Sequence, residues 1–319
     1  MLRFTFQGGI HPDDGKAMSK DKPIREVLPK GELVYPLSQH IGAPCKPLVK
    51  KGDQVKVGQL IGDTDAFVSA PIHSSVSGTV KEISTIRSVT GGDDQVVIIE
   101  TDGNQDVYEE IKPPVINDMK DFIAAVRASG LVGLGGASFP THIKLNPKNL
   151  EEVDTLIVNA AECEPFITSD HRLMLENTEY IIKGAVAIMK HLGLKKGHIG
   201  VEENKPDAIE KLRKVIADMG HSGDIEVNVL RARYPQGAER VMIYEITGKT
   251  LRAGMLPADV GCVVDNVATV RAIYRAVAKT EPLMERGFTV SGDGVNKPCN
   301  LIVKIGTSFE EMLEAAIID

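Results

Sequence analysis

The sequence predicts an α/β protein: a central parallel sheet flanked by two smaller, strand-rich units. Three observations carry this prediction. From Thr155 onward, short apolar runs alternate with helical patterns, the signature of parallel strands joined by crossover helices. Ahead of that region lie short alternating strands separated by turn residues, and after Glu281-Pro282 the pattern reverts to two strands and one helix. With 319 residues and 42% hydrophobic content, the chain is long enough for two or three domains.

Residues 1–30 read as a polar, irregular segment, with Gly8-Gly9-Ile10-His11-Pro12 and a basic, proline-punctuated tail ending at Pro29. Residues 31–112 supply strands near 33–37, 47–49, 59–61 and 78–83. Within them, Lys51-Gly52-Asp53-Gln54-Val55-Lys56-Val57-Gly58 and Ser69-Ala70-Pro71-Ile72-His73-Ser74-Ser75-Val76-Ser77-Gly78 resemble the two halves of a biotinyl/lipoyl-type sandwich. Carrier domains of that kind present a lysine on the hairpin between the halves. Here the hairpin reads Asp63-Thr64-Asp65-Ala66-Phe67-Val68 and holds no lysine. A swinging-arm carrier is excluded, leaving a structural or partner-binding module.

Pro113-Pro114 opens the central domain, residues 113–281. Asn117 or Asp118 caps a helix ending near Ala128. That helix feeds a stretch with four glycines in seven positions (Gly130, Gly133, Gly135, Gly136), followed by Phe139-Pro140-Thr141 and Lys144. Glycines admit positive φ and close approach of a ligand to main-chain N–H groups. Pro140 suits a helix's first turn, so the loop reads as an anion site at a helix N-terminus, with Lys144 adding charge. A tight structural turn is the plain alternative. Beyond it come strands near 155–158, 198–201, 226–230 and 262–264, and helices near 173–192, 206–219, 237–246 and 268–278. Residues 282–319, with strands near 288–290 and 301–303 and a helix over 308–317, resemble the start of a soluble-ligand-binding β-grasp unit.

Composition removes several function classes. The net charge is −7, aromatics make up 4% and tryptophan is absent, which argues against nucleic-acid binding and base-stacking surfaces. Cys45, Cys163, Cys262 and Cys299 are scattered with no CxxC, so no disulfide framework, zinc site or iron–sulfur motif is legible. The N-terminus lacks a signal-peptide core, and no run approaches 18 apolar residues, so direct membrane insertion is not expected.

In open α/β sheets, ligands sit beyond the carboxyl ends of the strands. Four features fall there: the glycine loop; Asn159-Ala160-Ala161-Glu162-Cys163-Glu164-Pro165; Tyr234-Pro235-Gln236-Gly237-Ala238-Glu239; and Asp265-Asn266-Val267-Ala268-Thr269. Asn159 offers a donor and an acceptor for a heterocycle edge, and Glu162 and Glu164 can accept from ribose hydroxyls. Each alone reads equally as a cap or a surface loop.

Together with Glu202-Glu203-Asn204-Lys205-Pro206, these motifs resemble RnfC, a component of the Rnf ion-translocating electron-transport complex that is itself similar to the NADH-binding flavoprotein of respiratory complex I. Gly8-Gly9-Ile10-His11-Pro12 and Pro36-Leu37-Ser38-Gln39-His40-Ile41-Gly42-Ala43-Pro44 mark the Rnf protein rather than the complex I one. The resemblance implies a Rossmann-like flavin/NADH domain and non-covalent FMN. Gly133, Gly135, Lys144, Asn159, Glu162, Tyr234, Gly237, Asn266 and Thr269 would hold FMN. Gly136, Ala137, Phe139, Glu164 and Glu239 would face NADH, and Ala238 stands where complex I relatives carry a second glutamate. Hydride transfer between NADH and FMN is then a positioning task without a side-chain nucleophile. The family passes single electrons to or from two 4Fe-4S clusters held by C-terminal cysteine motifs. Those motifs are absent from this sequence, and truncation is the expectation. The implied partners are the other components of the membrane complex and ferredoxin or an electron carrier, at the cytoplasmic side of the bacterial membrane. No basic residue is assignable to a 2′-phosphate, which favours NADH over NADPH. A paralogue serving a soluble reductase, and a non-redox adapter docking partners through the sandwich and β-grasp units, are the alternatives.

Overall fold

The computed structural model describes residues 8–88 and 91–317; the first seven residues of the 1–30 segment and the last two of the 282–319 unit lie outside the described residues. The N-terminal segment is not irregular throughout. It carries a 3-10 turn at Lys16–Met18 and a strand, β1 (Ile24–Val27). Then come β2 (Glu32–Pro36), β3 (Lys46–Pro47), β4 (Gln54–Val55), β5 (Leu60–Asp63), β6 (Ile72–His73), β7 (Gly78–Arg87) and β8 (Asp93–Thr101). They form two sheets, β2-β8-β7-β4 and β3-β5-β6. Period-two alternation sends Leu33, Tyr35, Val80, Val97 and Ile99 inward to meet Leu37, Cys45 and Ile61.

The lysine-free hairpin at 63–68 is docked rather than free. Arg127 donates to both Asp63 carboxylate oxygens, at 2.9 and 3.3 Å, and to the Thr64 carbonyl at 3.0 Å. Arg127 lies on α1 (Met119–Ala128), whose N-cap Asp118 accepts from the Asp121 N–H at 2.9 Å.

The central domain continues through α2 (Thr141–Lys144), β9 (Thr155–Ala160), α3 (Ser169–Glu176), α4 (Thr178–Leu192), β10 (Lys196–Glu202), α5 (Pro206–Asp218), β11 (Ile225–Leu230), α6 (Glu239–Thr247), β12 (Cys262–Asn266) and α7 (Val267–Lys279). The four strands are parallel, in the order β11-β10-β9-β12. Leu156, Val158, Ala160 and Val263 face a large core built from α1, α4, α5 and α7. Ile157, Cys262 and Val264 face α6 on the other side. The strands are thus buried on both faces, which is why they read as continuous apolar runs.

Two expectations are corrected here. The single helix over 173–192 is two helices, broken at Asn177 (φ −128°, ψ 28°), whose side-chain oxygen accepts from Arg271 Nε at 2.5 Å. Pro140 lies just before α2 at ψ 120°, outside the helix, and α2 is a single turn. A one-turn helix has almost no macrodipole, so the helix end expected to favour an anion here contributes little.

The chain closes with β13 (Glu285–Val290), β14 (Cys299–Lys304) and α8 (Phe309–Ile317). β13 is antiparallel to β14, and β1 from the N-terminal segment adds in parallel on the other side, giving the order β1-β14-β13. Fully buried Asn300 pins that segment: its amide donates to the Ser19 and Lys22 carbonyls at 2.8 and 3.1 Å.

Candidate functional site

The sheet order fixes where a crevice must open. From β9 the chain crosses through α3 and α4 to β10 on one side, and it later returns through α6 to β12 on the other. The carboxyl ends of β9 and β12 therefore flank the switch point, where doubly wound sheets bind ligands. Asn159 and Asn266 are register partners at those two ends.

Over this point the glycine stretch folds into a tight loop. A bridge between Val132 and Pro140 closes it, with the Gly133 N–H on the Phe139 carbonyl at 2.9 Å and the Thr141 N–H on the Leu131 carbonyl at 3.0 Å. Gly135, Gly136 and Ala137 form its exposed tip, and Phe139 is 37% exposed beside them. Thr269, fully buried, accepts the Leu134 N–H at 2.9 Å, and Arg286 donates to the Leu134 carbonyl at 2.9 Å. A Cβ on Gly135 would lie 2.7 Å from the Asn266 side chain, whereas one on Gly136 would meet nothing within 4 Å. The first glycine lets the loop lie against Asn266; the second leaves its backbone open to a ligand.

The strand-end residues are held by mutual hydrogen bonds. Asn266 caps α7 by accepting the Ala268 N–H at 2.9 Å, and its amide donates to Asp170 at 2.7 Å. Asn159 donates to the Gly237 carbonyl at 2.8 Å, and the Gly237 N–H points at Cys163 Sγ at 3.2 Å. Lys144 Nζ lies 3.2 Å from Glu239 and 4.0 Å from Asp265. The structure thus gathers the glycine loop, Lys144, Asn159, Gly237, Glu239, Asn266 and Thr269 about one crevice.

Glu162 behaves differently. Its backbone is left-handed (φ 52°) and its buried carboxylate turns inward, accepting the N–H of Asp170 at 2.6 Å and of His171 at 3.3 Å at the start of α3. Burial, reinforced by Asp170, pushes its pKa up to about 8. Glu164 is exposed on the same loop. Tyr234 is 36% exposed and is paired through its backbone with Ile10, at 2.8 and 2.9 Å.

Sequence reasoning assigned no role to Asp265, Asp170, Lys16 or Arg286. Asp265 is 2% exposed, and burial raises its pKa to about 6 despite Lys144. Its Oδ2 and the Thr141 hydroxyl are buried with no hydrogen-bond partner. A carboxylate closing a run of valines was the one legible signal. Residual bonding capacity in two buried groups, one of them 4.0 Å from Lys144, together with the open Gly136 backbone fits a polar ligand. Among the described residues, no group of three or more His, Cys, Asp or Glu side chains could hold a metal ion. Nor, among them, is any helix long and apolar enough to cross a membrane.

Comparison with known proteins meets this geometry. The family model of the Nuo51 FMN-binding domain matches residues 126–275, and that of the RnfC barrel sandwich hybrid domain matches residues 4–104. The RnfC-type component of the proton-translocating ferredoxin:NAD+ oxidoreductase complex of Clostridium ljungdahlii is 44% identical over 97% of this chain and 68% of its own length. The chain belongs to the RnfC family. The counterpart from the Na+-translocating complex of Acetobacterium woodii is 42% identical over 97% of this chain and 70% of its own. The counterpart from the ion-translocating oxidoreductase complex of Rhodobacter capsulatus is 39% identical, and this chain spans 60% of it. Among solved structures, the air-oxidized NAD+-reducing [NiFe]-hydrogenase superposes at a TM-score of 0.57 with 24% identity, covering 64% of this chain and 40% of that one; the likeness is one of fold. The Nuo51 FMN-binding match spans the glycine loop and the carboxyl ends of β9 and β12, and the second match agrees with the barrel sandwich expected among the N-terminal strands.

Proposed function

We propose that this chain is the flavin and NAD(H) module of a ferredoxin:NAD+ oxidoreductase complex. The observation that carries the reading is the exposed Gly135–Ala137 tip poised over Asn159 and Asn266 at the β9/β12 switch point. Bound FMN would supply the conversion between two-electron hydride transfer and single-electron transfer. This chain's own residues do the rest. Free N–H groups of the loop and the Lys144 ammonium hold the anionic arm. Asn159 and Asn266 present amides at the ring edge, each oriented by a fixed partner, Gly237 and Asp170. Gly237 lacks the Cβ that would press on Cys163 Sγ, at 3.3 Å. Phe139, Glu164 and Glu239 line the side on which NAD(H) would enter, with Tyr234 closing the far wall.

The same reading divides the chain into a sandwich at 31–112, a flavin domain at 113–281 and a β-grasp unit at 282–319. It puts the assembly at the cytoplasmic face of a bacterial membrane, with ferredoxin or another electron carrier as redox partner. The four cysteines are unpaired, three of them buried, and do not fit four-iron ligation, so no electron step is assigned to them. Titrating the purified chain with FMN and following flavin fluorescence tests the proposal. Quenching that saturates at one FMN per chain, and is abolished by Gly135→Leu, is expected. Unquenched flavin would contradict it.

A further inference from the structure

Residues 8–22 run across the loops that follow β9 and β11. Besides the Ile10–Tyr234 pairing, the Phe166 N–H donates to the Asp14 carbonyl at 2.7 Å, and Ser19 Oγ lies 2.8 Å from Thr168 Oγ1. Between these contacts Lys16 turns inward until it is 5% exposed. Its ammonium donates to the Glu164 carbonyl at 2.9 Å and to the Ile167 carbonyl, and lies 4.0 Å from Glu162 Oε2. A buried ammonium is tolerated only with such partners. The loop it grips needs a grip, because Glu162 (φ 52°) and Phe166 (φ 66°) both hold left-handed backbone that side-chain-bearing residues disfavour.

The geometry points to Lys16 as a positioning residue of the flavin site, acting from the N-terminal segment through Glu162. Three links carry its influence to the glycine loop. Glu162 accepts the Asp170 N–H, Asp170 accepts the Asn266 amide, and Asn266 lies against Gly135. The surrounding charges make Lys16 matter to that chain. Glu162, Glu202 and Asp14 face it, Lys205 opposes it, and Asp170 is faced by Arg286 and Lys205. Without Lys16, the Glu162 and Asp170 carboxyls lose a cation that favours their ionised forms, and the loop loses two carbonyl tethers.

This role rests on the flavin reading of the site, and the test separates the two. FMN dissociation constants would be measured by fluorescence quenching for the wild type, Lys16→Met, Glu162→Gln, the double variant and Lys20→Met, with thermal unfolding to show that each is folded. Lys20 is an exposed neighbour paired with Asp21, and its variant should bind as the wild type does. Lys16→Met should weaken FMN binding about tenfold, within the range that one shared hydrogen-bond network carries. The double variant should bind within about threefold of Glu162→Gln alone, because the route from Lys16 to the glycine loop runs through Glu162 and is already cut in that variant. A wild type that takes up no FMN overturns the flavin reading and this role with it. A wild type that binds while Lys16→Met binds equally well, or a double variant whose losses simply add, overturns the role of Lys16 alone. Should Lys16→Met fail to fold, hydrogen exchange of the wild type decides. FMN slowing exchange across residues 8–22 together with 130–140 supports the role, and protection confined to 130–140 contradicts it.

Discussion

Gly135 and Gly136 are neighbours under different constraints. Alanine at Gly135 must displace the Asn266 side chain, whereas alanine at Gly136 enters open space. Gly136→Ala is therefore expected to leave unfolding free energy within about 0.5 kcal/mol of the wild type while weakening nucleotide binding. A stability loss with binding intact would reverse the assignment. Asp265 provides a second residue-scale prediction. Its folded pKa of about 6 lies above the ordinary carboxylate value, so the native state holds its proton more tightly than the unfolded chain. Its contribution is fully present below about pH 4 and is lost as pH rises through 6, for a total of roughly 3 kcal/mol at 1.36 kcal/mol per pH unit. Asp265→Asn should match the wild type in denaturant unfolding at pH 4 and exceed it at pH 8, and a pH-independent difference would refute the buried-charge account. Asn159 and Asn266 were legible in the sequence because strand ends advertise themselves through apolar runs. The inward turn of Glu162 was not, because it depends on a left-handed backbone and on amides at the start of α3 that only the folded chain brings near.

At the scale of elements, the β9–α7 alternation was readable because both-face burial leaves uninterrupted valine and isoleucine runs. The break between α3 and α4 was not readable. Leu173 to Leu192 keeps helical spacing throughout, and the interruption at Asn177 is fixed by Arg271, 94 residues away. β1 was missed for a related reason: Ile24-Arg25-Glu26-Val27 has too little apolar pattern to declare itself and becomes a strand only beside β14. The 63–68 hairpin shows the opposite case: the sequence displays its lack of a lysine, but its docking onto α1 depends on Arg127, more than 60 residues away. Arg127→Met removes three charge-assisted hydrogen bonds from a half-buried site. A loss of about 1–2 kcal/mol is expected, with faster proteolytic cleavage within 63–68. Unchanged cleavage would mean that the hairpin is held by something else.

At the scale of the molecule, the N-terminal segment joins parts that the sequence presents as separate. It completes the C-terminal sheet through β1, is pinned by Asn300, and lies against the loops after β9 and β11. Deleting residues 1–27 should accelerate amide exchange across 299–304 by exposing the β14 edge; unaltered exchange there would show that β1 adds nothing to that sheet. The sandwich meets the central domain where His73 and the Pro71 carbonyl lie against Gly130 and His40 faces His142, and this contact should also be acid-sensitive. Burial lowers the pKa of His73 and of His142 to about 4. Each therefore contributes stability that is present above the unfolded value near 6.5 and lost as pH falls toward 4. Everything converges on the crevice between β9 and β12, and the claim that it is a hydride-transfer site has one direct measurement. The FMN-loaded protein is placed under anaerobic conditions, and its visible spectrum is recorded before and after NADH. Loss of the yellow flavin band on adding NADH is the predicted result; a loaded flavin whose band NADH leaves unchanged would contradict the account.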